Sequence, residues 1–181
     1  VKDWNAKIDL DYFPSPKHTI KGGVNYTYHT FTPYSFNATV GDVEFSNEDL
    51  NQQYAHEIAA YIQDDFSIGE NWKFNVGLRA SGYQQVGPYK TTEFSAQGIP
   101  TDTIEYKAGE GIATYGGLEP RVNFRYSVSA ISSIKGGVAV TNQYIHLVSN
   151  SGSTLPTDLW VPSTQKTKPQ KGIQYSLGYF Q

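Results

Sequence analysis

Histidine is the side chain best suited to acid–base work near neutral pH, and the chain has four: His18, His29, His56 and His146. They are scattered without the spacing of a metal site. His56 and Glu57 are sequence neighbours, but neighbours on a strand point to opposite faces, so they cannot form a local base and orienting pair. Gly109-Glu-Gly111 followed by Gly116-Gly117 hints at a phosphate loop, yet no helix follows to supply a dipole. No Ser, His and acid set with plausible geometry is present. There is no cysteine, hence no disulfide and no thiolate ligand. Asp42, Glu44, Glu48 and Asp49 crowd one segment and could hold a cation, although solvation is the favoured reading. The sequence therefore predicts no enzyme, no cofactor and no metal site.

Composition narrows the class. Aromatic residues make up 14 % and charged residues only 17 %, against a globular norm of about 25 % charged. Strands that meet lipid on one face and water on the other produce this balance. The net charge of −3 without a basic run argues against nucleic acid as a partner. No apolar stretch approaches the roughly 20 residues of a membrane helix. The chain lacks methionine even at position 1 and starts and stops within strand-like sequence, so it reads as a fragment of a longer protein.

Seven segments alternate with period two. In the first, Trp4, Ala6, Ile8, Leu10 and Tyr12 interleave with Asn5, Lys7, Asp9 and Asp11. The second sets Ile20, Val24, Tyr26 and Tyr28 against Lys21, Asn25, Thr27 and His29. The third runs through Ile58, Ala60, Ile62 and Phe66, with Asp64 breaking the pattern; it could also be drawn as a helix. The fourth is the cleanest, Trp72, Phe74, Val76, Leu78 and Ala80 against Lys73, Asn75, Gly77, Arg79 and Ser81. The last three centre on Leu118–Tyr126, Ile134–Val140 and Ile173–Tyr179.

The connections alternate in length. Short turns lie near Phe13–Lys17, Ser67–Asn71 and Ser127–Ser132, and long loops near Thr32–Asn51, Gln84–Ile112 and Leu147–Gln170. In an antiparallel meander this puts every short turn at one end and every long loop at the other, the asymmetry of an outer-membrane barrel. Aromatics follow suit. Tyr12, Phe66, Trp72, Phe74, Phe124, Tyr126 and Tyr179 fall by the short turns; Tyr26, Tyr28, Tyr54, Tyr83 and Tyr144 fall toward the loops. An aliphatic band lies between. The expected fold is all-β, an antiparallel up-and-down transmembrane barrel, of which residues 1–181 supply a partial domain of about seven consecutive strands. Seven cannot close alone where the count is even, so further strands lie outside this chain.

Specific motifs sharpen this. Glu57-Ile-Ala-Ala-Tyr61-Ile-Gln63-Asp64-Asp65-Phe66, an Ile68-Gly69 turn and Trp72-Lys-Phe-Asn75-Val-Gly77-Leu78-Arg79 resemble a recurring barrel hairpin of TonB-dependent receptors. Glu119-Pro120-Arg121-Val-Asn123-Phe-Arg125-Tyr126 resembles the hairpin that follows it. Lys135-Gly136-Gly137 and Asn142-Gln143-Tyr144 continue the likeness. Leu155-Pro-Thr-Asp158-Leu-Trp160-Val-Pro162, ahead of Lys168-Pro169-Gln170, resembles the forms with a carboxypeptidase-regulatory-like N-terminal domain. The likeness spans residues 54 to 181; the first 50 match in pattern only.

The resemblance implies a barrel of about 22 strands with a plugged lumen, in the outer membrane of a Gram-negative bacterium. It implies uptake of a scarce nutrient (an iron chelate, a vitamin, a glycan or a peptide) with energy delivered by TonB through an N-terminal region absent here. Outer-membrane lipid and the nutrient would be partners, and a surface lipoprotein is left open as another. Glu57, Arg79, Glu119, Arg121 and Arg125 would then line the lumen and pair with one another or with the plug. Tyr34, Phe36, Phe45, Tyr89, Phe94 and Trp160 would be the loop aromatics that meet ligand.

Two rivals set the tests. Another outer-membrane barrel, a passive porin or an enzyme, would lack an upstream plug if it is a porin. A soluble carbohydrate-binding sandwich would bury Phe74, Val76, Leu78, Val122, Phe124 and Val138 against a second sheet, where a barrel turns them outward.

Overall fold

The computed structural model describes residues 1–32, 37–40, 43–46, 52–95, 97–149 and 158–181. Along the chain, β1 (Lys2–Ser15) and β2 (His18–Phe31) form a hairpin, and β3 (Asn37–Val40) and β4 (Val43–Ser46) a small ribbon in the first long connection. A second hairpin, β5 (Gln53–Ile68) and β6 (Trp72–Val86), is followed by the ribbon β7 (Tyr89–Phe94) and β8 (Pro100–Tyr106). A third, β9 (Gly111–Ser129) and β10 (Ser132–Gln143), is followed by the ribbon β11 (Ile145–Ser149) and β12 (Asp158–Pro162), before the last strand β13 (Gln170–Phe180). The hairpins and β13 join into one antiparallel seven-stranded sheet, ordered β1-β2-β5-β6-β9-β10-β13. All seven sequence segments are strands of this sheet, the third included: β5 continues the ladder from Gln53 to Ile68.

The sorted loop lengths are present. The short turns are Pro16–Lys17, Gly69–Asn71 and Ala130–Ile131, all at one end. Gly69 has φ +62, a conformation natural for glycine and costly for a residue with Cβ. The three long connections leave from the opposite end, and each carries a ribbon of its own. A strand needs about 9–11 residues to cross a bilayer; β5 has 16 and β9 has 19. Because the turns cap one end tightly, the surplus length projects at the loop end.

Cross-strand register assembles the apolar face row by row. Ile8 pairs with Val24, Val24 with Ala60, Ala60 with Ala80 and Ala80 with Leu118. Val76 pairs with Val122, Val122 with Val138 and Val138 with Tyr175. These side chains are uncovered: Ile62 is 58 % exposed, Leu78 45 %, Val122 45 % and Leu177 79 %. No second sheet lies over them among the described residues. An apolar face this extensive needs a non-aqueous neighbour, and the described residues supply none, where the sandwich expectation had Val76, Leu78, Val122 and Val138 buried.

Next to the short turns the apolar face ends in a ladder of rings. His18 stacks on Phe66 (5.5 Å between centroids), Phe66 on Phe74 (5.4 Å), Phe74 on Trp72 (5.6 Å), and Trp72 tilts against Tyr126 (4.6 Å). Asp64, the break in the third segment, sits on this face with its Oδ2 2.7 Å from His18 Nδ1. Toward the loops, Tyr28 stacks on Tyr54 at 6.2 Å. The expected outer girdle needs one correction here. Tyr83 and Tyr144 are buried (2 % and 4 % exposed) and pack with Phe31 and Ala55 on the polar side of the wall. Tyr83 shares the parity of Arg79 and Ser81, so strand geometry places it there.

One close approach on the polar side fixes three strands together. Tyr61 of β5 reaches across Gly23 of β2 to donate to Asp9 Oδ1 of β1 at 2.6 Å. A Cβ on Gly23 would stand 2.8 Å from the Tyr61 ring and 2.5 Å from Asp9 Oδ1. We predict that Gly23→Val displaces Tyr61 and costs about 1–3 kcal/mol, read from urea unfolding of the full-length barrel in detergent. Val76→Arg places a charge at mid-strand on the lipid face and should cost about 2–4 kcal/mol on refolding into lipid; no loss would mean that this face does not meet lipid.

Candidate functional site

The polar face gathers charge across five strands. Asp3 and His29 are direct cross-strand neighbours, with His29 Nδ1 2.9 Å from Asp3 Oδ1. His29 Nε2 points at Glu57 Oε2, 3.6 Å away, and has no hydrogen-bond partner closer. Arg79 stands between two acids, its Nη2 3.9 Å from Glu57 Oε1 and its Nε 3.6 Å from Glu119 Oε2. Glu119 in turn accepts from Ser81 Oγ at 2.6 Å and from Asn142 Nδ2 at 3.3 Å. The line Asp3–His29–Glu57–Arg79–Glu119 thus crosses β1, β2, β5, β6 and β9 and is tied to Asn142 of β10. Its ion-pair distances beyond Asp3–His29 exceed those of direct hydrogen bonds, so the charges attract while remaining free to re-pair.

Above this line the loop end is closed over by chain. Tyr83 and Tyr144 stack at 5.3 Å, and Ser81 Oγ lies 2.8 Å from Tyr144 Oη. The segment leaving β12 lies on these rings. Tyr83 Oη donates to the Ser163 carbonyl at 3.2 Å, Tyr115 Oη to that of Thr164 at 2.7 Å, and the Ser163 amide to the Tyr144 carbonyl at 2.8 Å. His146 Nε2 is 3.1 Å from Ser163 Oγ, and Gln165 Nε2 donates to the Ile112 carbonyl at 3.0 Å. Pro162 and Ser163 are fully buried as a result. Within the third long connection, the described stretch from Pro162 to Gln165 therefore lies on the polar wall. Beside it a small cleft is lined by Gln85, Tyr89, Thr91, Tyr106, Thr164 and Lys166. Gln85 has its Oε1 buried there without a partner.

Of the five predicted wall residues, Glu57, Arg79 and Glu119 are brought together. Arg121 and Arg125 share their face but stand exposed outside the line, and among the described residues neither has an ion-pair partner. Of the loop aromatics, Tyr34 and Phe36 lie outside the described residues. Phe45 and Phe94 belong to β4 and β7, with side chains outside the description. Tyr89 is half-buried in the cleft, and Trp160 is 47 % exposed on β12 opposite Leu147. Asp42, Glu48 and Asp49 lie outside the described residues, and no metal-ligating cluster occurs among those described. Sequence reading missed Asp3, His29, Tyr83 and Ser163. Parity could have found Tyr83 and His29. Nothing local signals Asp3 or Ser163, whose partners are fixed by register and by loop folding.

The serine–imidazole contact on this wall, Ser163 Oγ with His146 Nε2, is buried beneath the inward segment; a charged wall of this kind can bind and guide a solute. Comparison with known proteins agrees. Residues 1–179 match the family described as TonB dependent receptor-like, beta-barrel, extending the likeness through the first 50 residues. Among solved structures, the copper transporter OprC superimposes with a TM-score of 0.62 at 11 % identity, over 98 % of this chain and 28 % of that one. At that identity the likeness speaks for the fold alone, and this chain spans little more than a quarter of that transporter. No curated protein matches by sequence.

Arg79→Ala would leave Glu57 and Glu119 facing each other without a cation. The expected loss is about 1–3 kcal/mol, between exposed and buried ion pairs, with Arg79→Lys recovering a fraction of it in the same unfolding measurement.

Proposed function

The chain belongs to the TonB-dependent receptor-like β-barrel family, and from that premise we propose that it forms a section of the barrel wall of a receptor importing a scarce nutrient. The family is one of outer-membrane transport proteins of Gram-negative bacteria rather than enzymes, and its members bind a substrate and work with TonB. The observation that carries the reading is the two-faced wall: an uncovered aliphatic band between aromatic rows on one side, and the line from Asp3 to Glu119 on the other. In this reading the first side meets lipid, and Glu57, Arg79, Glu119, Arg121 and Arg125 line a water-filled lumen.

The sheet has two edges, β1 and β13. Lipid tolerates neither bare, so strands beyond this chain complete the barrel, to about 22 with a plugged lumen. TonB acts through the N-terminal region of the complete protein. In this reading ligand enters from the loop end and meets Tyr89 and Trp160, with Tyr34, Phe36, Phe45 and Phe94 the further candidates that the sequence offers. An iron chelate, a vitamin, a glycan and a peptide all suit aromatic contacts, and a surface lipoprotein could cover the mouth of the barrel.

The test uses the full-length protein with four probes: a ferric chelate, a corrinoid vitamin, a linear oligosaccharide and a short peptide. One is expected to bind, and Trp160→Ala to weaken it about tenfold, the loss of a stacking contact worth roughly 1.4 kcal/mol. Cellular uptake of that probe should stop when TonB is removed. Uptake that persists without TonB would mean a passive porin.

A further inference from the structure

His29 lies between two carboxylates, and its two ring nitrogens meet them differently. Nδ1 is 2.9 Å from Asp3 Oδ1. An ionised carboxylate only accepts, so Nδ1 carries the hydrogen. Nε2 is buried, has no hydrogen-bond partner and stands 3.6 Å from Glu57 Oε2. A neutral ring would therefore turn the lone pair of Nε2 toward an ionised carboxylate, a repulsive contact in a nearly closed site. One further proton makes both contacts attractive. His29 is 5 % exposed, whereas 47 % of the Asp3 side chain is exposed, which opens the site to protons from solvent. The pair also lies beyond the membrane crossing. His29 is the twelfth residue of β2 counted from its short turn, and Glu57 the twelfth of β5 counted from its own; a crossing takes about 9–11.

The surroundings leave few other ways to balance the charge. β1 supplies Asp3, β5 supplies Glu57, and beyond Glu57 lie Arg79 and Tyr83 of β6. Phe31 tilts against the imidazole at 5.8 Å, and Ala55 is its cross-strand neighbour on β5. β12 also approaches β2, and its described side chains, Trp160 to Pro162, do not titrate. Burial works against a charged ring, and the carboxylates of Glu57 and Asp3 outweigh it, holding the pKa of His29 above its ordinary value. Arg79 in turn has two acids within reach, Glu57 at 3.9 Å and Glu119 at 3.6 Å.

We propose that His29 and Glu57 hold one exchangeable proton between them, and that its loss as pH rises draws Arg79 from Glu119 toward Glu57. With the proton in place, His29 meets the charge of Glu57 and leaves Arg79 to Glu119. Once the proton is gone, Arg79 is the one cation left to Glu57 among the described residues. Glu119 is then held by Ser81 Oγ and Asn142 Nδ2. Ser81 Oγ also lies 2.8 Å from Tyr144 Oη, and the Tyr144 carbonyl accepts from the Ser163 amide. External pH thereby sets the charge balance beside the tyrosines on which the inward segment lies.

Exchange of the histidine C2 hydrogen, followed by mass spectrometry against pH, reports the titration of His29 in the unsubstituted full-length receptor in detergent. Its midpoint is expected about one pH unit or more above that of the urea-unfolded protein. A midpoint at or below the unfolded value would overturn the shared proton. Because the folded value is raised, the stabilisation is complete below about pH 6.5, the unfolded value, and is lost as pH rises through the folded one. Resistance to urea should therefore decline with rising pH, and His29→Gln should remove this component of the decline; an equal slope in both proteins would also overturn it. Double-mutant cycles locate Arg79. Between about pH 6 and about pH 9, the coupling of Arg79→Gln with Glu57→Gln should grow about threefold or more as an equilibrium constant. That of Arg79→Gln with Glu119→Gln should fall by a similar factor. Couplings that stay constant with pH would mean that Arg79 does not re-pair, and the proposed switch would fall.

Discussion

The hydrocarbon interior of a membrane offers a backbone amide or carbonyl no water to bond, so each must find its partner on the next strand. The rest of this structure follows from that requirement. It calls for long, unbroken, antiparallel ladders, and β5 pairs without interruption to β2 over Gln53–Phe66 and to β6 over Tyr54–Ile68. A ladder must continue even where a side chain is unsuitable. Asp64 therefore remains on the apolar face and is accommodated by its ion pair with His18, close to the aromatic row where water is near. Irregular chain is confined to the ends.

With the ladder fixed, the two sides of the wall obey different rules. On the apolar side each position is settled by its own hydrophobicity, and neighbours need only be compatible in size. On the polar side energy resides in pairs and lines of charge, which depend on what the neighbouring strands present. The wall is unevenly charged as a result. Asp3, Asp9 and Asp11 collect on β1, while Lys73, Arg121, Arg125 and Lys135 collect on β6, β9 and β10. His29, Glu57 and Arg79 lie between the two groups.

The loop end adds a third regime. Tyr83, Tyr144, Phe31 and Ala55 form a small buried cluster on the otherwise polar face, and the chain from Pro162 to Gln165 lies on it through backbone carbonyls and amides. Held by its main chain, this segment would keep its place through many changes of side chain. Trp160, two residues earlier, remains exposed. An anchored segment carrying an exposed aromatic ring suits a ligand-facing surface.

The sequence by itself determined which way each strand residue points, since successive Cβ atoms alternate whatever the surroundings. Val76 and Leu78 were thereby separated from Arg79 before any strand was paired. It also determined the up-and-down order, through short and long connections in alternation, and the motifs around Glu57–Arg79 and Glu119–Tyr126 carried the family. Only the tertiary structure decided who faces whom. That Asp3 meets His29, that Arg125 stands between two lysines, and that Ser163 lies on Tyr83 depend on the residues consumed in each turn and on how a long loop folds back. A one-residue change in register would alter every such pair. Those pairs join residues as far apart as Tyr83 and Ser163, and no local pattern of residue types encodes a contact at that separation.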